Sequence, residues 1–242
     1  MRYSWNPWHG CKKISAGCKN CFVNFLDSQR GAKEKGIYKV KTKFNYPLQK
    51  DKNKNYKIPS HIQVATCFTS DFFIEEADLW RNEAWKIIKE RPDIEFLIPT
   101  KRIHRFHQSL PIDWRDGYEN VFICVSVENQ KMADLRIPLL LDLPIKKKGL
   151  FLAPLLEDID LTPYLKTGKI AYVSVGGESY KYARECNFDW VLHIKEQCDL
   201  YQVPFDFHQT GSNFIKDGKK YKIPHNKEYG QAKKAFSKKD LL

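Results

Sequence analysis

Residues 120–141 read NVFICVSVENQKMADLRIPLLL. The run from Val121 to Val127 is apolar apart from Ser126, and the polar pair Glu128–Asn129 separates it from a stretch with apolar positions at helical spacing. An apolar run without polar alternation suits a strand covered on both faces, and the polar pair is placed to start a helix. The same unit recurs on either side. IQVATCF (62–68) leads through TSD to a helix expected over 78–91, and IEFLIP (94–99) leads through TKR to a short helix. KGLFLAP (148–154) precedes a helical piece near Leu161 to Leu165; IAYVSV (170–175) leads through GGES to a helix expected over 188–201; VPFDFH (203–208) exits into QTG.

Strands that alternate with helices over a whole domain imply parallel βαβ units with right-handed crossovers. A doubly wound open sheet and a barrel both satisfy that pattern. Nearly every unit places its polar residues directly after the strand: Thr69, Ser70 and Asp71; Thr100, Lys101 and Arg102; Ser126, Glu128 and Asn129; Gly176, Gly177, Glu178 and Ser179; His208 and Gln209. A barrel gathers all those strand ends around one mouth, whereas an open sheet concentrates them near one switch point. The expectation is therefore an α/β chain forming a partial (β/α) TIM-like barrel. It has six or seven parallel strands, counting a short first strand near Tyr3 to Asn6, and occupies residues 1–215.

The 242 residues are 42% apolar and 29% charged, ordinary for a soluble globular protein. No apolar run approaches the ~18 to 20 residues of a membrane span, and the N-terminus lacks the layout of a secretory signal, which points to a cytoplasmic protein without membrane contact. The net charge of +12 is concentrated in two segments. An insertion at about 39–57 holds seven lysines against one aspartate, and a basic C-terminal tail at 216–242 holds nine lysines against Asp217, Glu228 and Asp240. Lysines interspersed with Tyr and Phe can follow a phosphate backbone, which makes a nucleic acid or nucleotide a candidate substrate. The competing reading is a solvated loop and tail that aid solubility, and lysine without arginine argues against specific base readout.

Seven cysteines, three of them clustered as Cys11, Cys18 and Cys21, do not suit a secreted disulfide framework. Cys124, Cys186 and Cys198 fall within apparent strands or helices and are expected to be buried as small hydrophobes. Three thiolates on one loop can bind three irons of a [4Fe–4S] cluster and leave the fourth open. Gly10 and Gly17 each precede a cysteine, relieving crowding around a metal. Zinc is the alternative, held by the same thiols with a histidine such as His9, and free structural thiols are a third reading.

The ordered set WNPWHGC, GCKNC, TSDFF, PTKR, VSVENQ, RIPLLL, VGGES and the VPF strand resembles a phage- and mobile-element-associated family of unknown function. That family is often labelled by its three-cysteine motif and is similar to radical SAM enzymes. The resemblance runs from Ser4 to about Gly211. It implies a radical-SAM-like barrel in which S-adenosylmethionine binds the open iron and is reductively cleaved, with an electron donor as partner. The x6 gap between Cys11 and Cys18 departs from the usual x3, and Phe22 follows Cys21 where an aromatic usually precedes the last cysteine. The early glycine-glycine-glutamate segment of radical SAM enzymes is missing after the second strand.

Gly176, Gly177 and Glu178 suit close backbone approach to a cofactor and an acceptor for an ammonium or hydroxyl; a tight turn is the plainer reading. Ser126, Glu128 and Asn129 are further cofactor candidates, for ribose hydroxyls or an amine, against a helix-capping role for Asn129. Lys101 and Arg102 would attract a carboxylate or phosphate, or form an ion pair. His208 and Gln209 would hydrogen-bond a substrate edge. Cys67 and Asp71 are the catalytic candidates, a hydrogen-atom donor and a carboxylate that orients substrate or moves a proton, although a buried strand cysteine also explains Cys67. Trp5 and Trp8 either wall the metal from water or pack in the core. A metal-stabilised nucleic-acid-binding protein without catalysis is the alternative function.

Overall fold

The apolar runs form a sheet. The computed structural model describes residues 3–30 and 36–237. Its strands are β1 (Tyr3–Trp5), β2 (Trp8–His9), β3 (Tyr38–Lys39), β4 (Gln63–Thr66), β5 (Glu95–Thr100), β6 (Val121–Ser126), β7 (Lys147–Leu152), β8 (Tyr172–Gly176), β9 (Cys186–Asn187), β10 (Phe205–Gln209), β11 (Asn213–Lys216) and β12 (Lys219–Lys222). Its helices are α1 (Phe22–Arg30), α2 (Asp78–Glu90), α3 (Gln130–Asp142), α4 (Thr162–Leu165), α5 (Phe188–Leu200) and α6 (Glu228–Ala235).

Seven strands pair in the order β1-β4-β5-β6-β7-β8-β10, every pair parallel. Spatial order follows chain order without reversal, so there is no switch point of the doubly wound kind. The sheet curls into a half barrel in a mixed α/β chain. β1 and β10 are its two ends and do not pair with each other.

Strand side chains alternate between faces. Phe96, Ile98, Val121, Ile123, Val125, Leu150, Leu152, Val173 and Val175 join the large core with Trp85, Ile88, Ile137, Leu140, Val191 and Ile194 of the helices. The intervening Leu97, Phe122, Cys124 and Phe151 form a second cluster, packed by Phe68, Ala153 and Tyr172. That cluster fills the lower part of the other face, and Ser126 and Gly176 at the strand ends leave its upper part less filled. All six residues of β6 are buried, because both faces are covered.

Two of the three 13-residue helices begin at a capping asparagine. Asn129 accepts the Met132 N–H at 3.0 Å at the start of α3, and Asn187 accepts the Asp189 N–H at 3.0 Å at the start of α5. After TKR the chain makes two 3-10 turns, Ile103–Arg105 and His107–Ser109, in place of the expected short helix. In α1 Val23 is buried and Phe22 is exposed.

Both lysine-rich segments are folded. The insertion runs beside β1: Val40 N–H donates to Pro7 O at 2.9 Å, Trp5 Nε1 donates to Phe44 O at 2.8 Å, and Ile58 is fully buried. The fully buried Arg91 donates to Ile58 O at 2.9 Å and to Pro47 O, pinning the insertion to the end of α2. Residues 216–237 are not the tail expected from their charge. β11 and β12 make an antiparallel hairpin, and α6 packs beside β10 with Ala232 and Ala235 buried; residues 238–242 lie outside the described residues. Alanine and phenylalanine at helical spacing among the lysines supply the apolar face that docks this segment.

Candidate functional site at the carboxyl ends of the half barrel

The loop carrying the three cysteines joins β2 to α1 and lies over the carboxyl ends of the strands. It borders a cavity of about 480 Å³ lined by Cys11, Cys18 and Cys21 together with Cys67, Asp71, Lys101, Arg102, Ser126, Gly177, Glu178, His208 and Gln209. Every one of these was singled out in the sequence, and they converge from five strand ends. The floor is apolar, from Phe68, Pro99, Phe151, Ala153 and Pro154.

Three side chains grip the cysteine loop from different strand ends. Gly17 N–H donates to Glu128 Oε1 at 2.8 Å, and Arg136 Nη1 donates to Glu128 Oε2 at 2.9 Å. Burial raises the Glu128 carboxyl, but the bonds from Ser15 and Gly17 and the charge of Arg136 outweigh it and leave it below the usual carboxylate range. Asn20 Nδ2 donates to Glu178 Oε2 at 3.0 Å, while Arg184 Nε donates to the same oxygen at 2.9 Å and its Nη2 reaches Ala16 O at 2.9 Å. Arg102 Nη2 donates to Lys12 O at 2.7 Å, and its Nη1 lies 3.6 Å from Cys11 Sγ and 3.3 Å from Asp71 Oδ2.

These bonds change the roles expected of several residues. Glu128 does not line the cavity; its two oxygens hold the loop and Arg136. Asn129 caps α3 and also stays outside. Gly176 lies against a neighbouring strand instead of a ligand: a Cβ there would come within 2.5 Å of His208 Nε2. Gly177 borders the cavity, yet a Cβ on it would meet Thr210 O at 2.2 Å, so the double glycine serves close packing on β10. Glu178 reaches the cavity with its carboxylate already engaged by Asn20 and Arg184.

Asp71 is equally occupied. Its carboxylate accepts from Phe73 N–H at 3.0 Å, Thr100 Oγ1 at 2.8 Å, Lys101 N–H at 2.9 Å and Arg102. It therefore organises the β5 exit. Cys67 is fully buried, with φ of +59° after the end of β4, and its N–H donates to Trp5 O at 2.9 Å. Burial first, then Asp71, push its thiol well above the ordinary value, so it stands at the cavity as S–H. His208 Nδ1 lies 2.9 Å from Ser174 Oγ, and burial pushes its imidazole down to about 4, so it is neutral at pH 7. Gln209 Nε2 donates to Gly177 O at 2.7 Å.

The thiols themselves are free and partly exposed. Burial, then Asp71, push the Cys11 thiol up to about 11, with the Arg102 guanidinium pulling the other way. Among the described residues, no group of three or more His, Cys, Asp or Glu side chains is gathered closely enough to hold one metal ion. His9 is not with the thiols: its Nε2 lies 3.0 Å from both oxygens of Asp27, outside the cavity. Trp5 and Trp8 are core residues, packed on Phe96 and Phe72 at 5.5 and 5.2 Å, and neither lines the cavity. Cys124, Cys186 and Cys198 are buried as expected.

Ser179 also lines the cavity, together with two residues that pattern reading passed over, Tyr180 and His225. The Tyr180 ring stacks on Phe25 at 4.6 Å and lies tilted against His225 at 4.5 Å. Glu228, 1% exposed, accepts from Ser212 Oγ at 2.7 Å and Ser179 Oγ at 2.6 Å. A glutamate, a histidine and isolated serines in a lysine-rich stretch give no sequence signal.

Fold and site together define a half-barrel α/β protein with a thiol-lined cavity at its strand ends. The chain belongs to the family described as protein of unknown function (DUF5131), which it matches over residues 1–236. No curated protein and no solved structure matches it. The family description links the chain neither to radical SAM enzymes nor to phage. Among the described residues no helix is long and apolar enough to cross a membrane.

Proposed function

We propose that the protein is a radical SAM-like enzyme whose Cys11, Cys18 and Cys21 hold a [4Fe–4S] cluster, acting on a nucleic acid or nucleotide substrate. The observation that carries this is the convergence of three free thiols on one cavity at the strand ends. The donor set fits such a group. Thiolates are its usual ligands, the apolar floor limits water, and Arg102 offers positive charge at Cys11 Sγ. Each thiolate of a cluster meets a different iron, so the sulfurs need not converge as tightly as around one zinc, whose ~2.3 Å bonds demand closer gathering.

When bound, the cluster would supply an open iron for S-adenosylmethionine and the electron, drawn from an external donor, that cleaves it to a 5′-deoxyadenosyl radical. The chain's own residues orient and protect. Glu128, Glu178 and Arg102 fix the loop. Lys101, for which no ion-pair partner is found among the described residues, presents a cation to a carboxylate or phosphate. Cys67 presents an S–H to the cavity, Asp71 positions Lys101 and Arg102, and Gln209 and His208 bound the far side.

The nucleic-acid part rests on where the charge lies. The insertion flanks β1 and residues 216–237 flank β10, so positive charge borders both free ends of the sheet. A reacting nucleotide would have to leave its stack to reach the cavity.

The test is anaerobic reduction of the purified protein with S-adenosylmethionine, followed by chromatography for 5′-deoxyadenosine. Formation that is lost in Cys18→Ala supports the enzyme. A metal-loaded protein that binds oligonucleotides yet forms none under varied reductants supports the non-catalytic binding protein instead.

A further inference from the structure

We propose that the groove between β1 and the lysine-rich insertion is a second binding site, holding the nucleotide next to the reacting one in a single strand, with the phosphates on either side of it on Lys41 and Lys43. The groove is a separate cavity of about 650 Å³, within the ~300–1,000 Å³ of pockets that take small ligands. The place of that nucleotide in a strand rests on the nucleic-acid reading above. The chemistry of the groove, which suits any nucleoside phosphate, does not.

Charge in the groove is one-sided. Apart from tyrosines, its ionisable lining side chains are His9, Lys39, Lys41 and Lys43, with no carboxylate beside them. His9 is paired with Asp27 and Lys39 with Glu83, whereas Lys41 and Lys43 have no ion-pair partner among the described residues. Two uncompensated cations bordering one cavity suit phosphate. Tyr38, Val40 and Tyr46 supply apolar surface for a base or sugar. Asn6 Oδ1 accepts the Thr69 N–H at 3.0 Å, and its amide N–H groups, for which no partner is found among the described residues, are left for a base carbonyl or a hydroxyl.

The groove and the thiol-lined cavity share a thin partition. His9 and Thr69 line the groove, Cys11 and Ser70 line the cavity, and Gly10 stands between them, its N–H donating to Thr69 O at 3.1 Å and its carbonyl accepting from Ser70 Oγ. A strand whose reacting nucleotide has left its stack for the cavity therefore has its next nucleotide at this partition. Lysines that only aid solubility need no concave wall. Here the bond from Trp5 Nε1 to Phe44 O and the buried Ile58 fix the insertion, and three of its lysines border one site.

The test uses the full-length protein without cofactor, a short single-stranded oligonucleotide carrying 5-iodouracil, and 5-iodouridine monophosphate as the free nucleotide. Ultraviolet light should join the uracil ring to a tyrosine ring with loss of hydrogen iodide, and peptide mass spectrometry should find the link within residues 38–46. Lys41→Gln with Lys43→Gln should weaken oligonucleotide binding on the order of 10-fold at ~0.1 M salt and lower the salt slope by about 1.4. Lys86→Gln with Lys131→Gln, the same charge removed from exposed positions on α2 and α3, should change affinity by less than about 2-fold. Asn6→Asp keeps the acceptor for Thr69 N–H but sets a negative charge against phosphate, so it should weaken binding on the order of 10-fold with an unchanged urea midpoint. Links elsewhere, with equal losses from the two lysine pairs, would overturn the groove and leave the nucleic-acid reading standing. The mononucleotide linked within 38–46 without oligonucleotide binding would keep the groove and remove the strand. Binding of neither probe would overturn both.

Discussion

The backbone N–H of Gly17 donates to the Glu128 carboxylate at 2.8 Å, joining positions 111 residues apart. The cysteine loop is thereby tied to the β6 exit, and the approach is close: a Cβ on Gly17 would lie 3.0 Å from the Glu128 carboxyl carbon. Glu128→Ala leaves the buried Arg136 without its partner and should cost about 3–5 kcal/mol. Glu128→Gln, which keeps the shape, should cost about 1.5–3 kcal/mol. Urea unfolding of the two variants measures both, and a cost within error of zero for Glu128→Ala would remove the clamp.

Gly10→Ala should disrupt the same loop from its entry. Gly10 has φ of +88°, and a Cβ there would meet Gly36 O at 2.2 Å. Backbone strain alone costs about 1–3 kcal/mol, and the clash forces the loop away from the cavity. Faster reaction of Cys11 and Cys18 with a thiol reagent, alongside reduced stability, is the expected outcome.

His208 sets a pH dependence. The folded protein keeps this imidazole neutral down to about 4, whereas the unfolded chain protonates it near 6.5. The unfolded state thus binds the extra proton between those values, so the stabilisation is complete above pH ~6.5 and is lost as pH falls toward 4. Urea midpoints measured from pH 4.5 to 7.5 should decline more steeply on the acid side in the wild type than in His208→Asn. Parallel curves would assign the decline to other groups.

Polyanion binding should be governed by salt. If the insertion follows a phosphate backbone, replacing the exposed Lys41, Lys43 and Lys52 with Gln should flatten the slope of log affinity against log salt by about 2 for a single strand, at ~0.7 per phosphate contact. Fluorescence anisotropy with a labelled oligonucleotide reads the slope. An unchanged slope would place the contact elsewhere.

The strands were legible because each is an apolar run long enough to be covered on both faces, and the polar exits gave the half barrel its mouth. From those exits the cavity could be assembled without coordinates: Ser126, Lys101 and His208 come together as their positions after the strands imply. The sequence was silent on side-chain direction within a turn. Glu128 and Glu178 are polar residues after strands like the others, yet hydrogen bonding to Gly17 and Asn20 turns them toward the loop. Cys67 adopts a left-handed conformation that no residue type announces. The basic stretch misled for a plainer reason: net charge describes solvent-facing lysines, while Ala232, Ala235 and Glu228 are buried and dock α6, and His225 just before it lines the cavity.

Metal analysis tests the central claim most directly. The protein, purified without oxygen, is assayed for iron, acid-labile sulfide and zinc, and for the broad visible absorbance of iron–sulfur centres. The account predicts about four irons and four sulfides per chain, with the absorbance lost in variants carrying Ala at Cys11, Cys18 or Cys21 and kept in Cys124→Ala. A colourless protein holding one zinc per chain, or iron that survives all three substitutions, would contradict it.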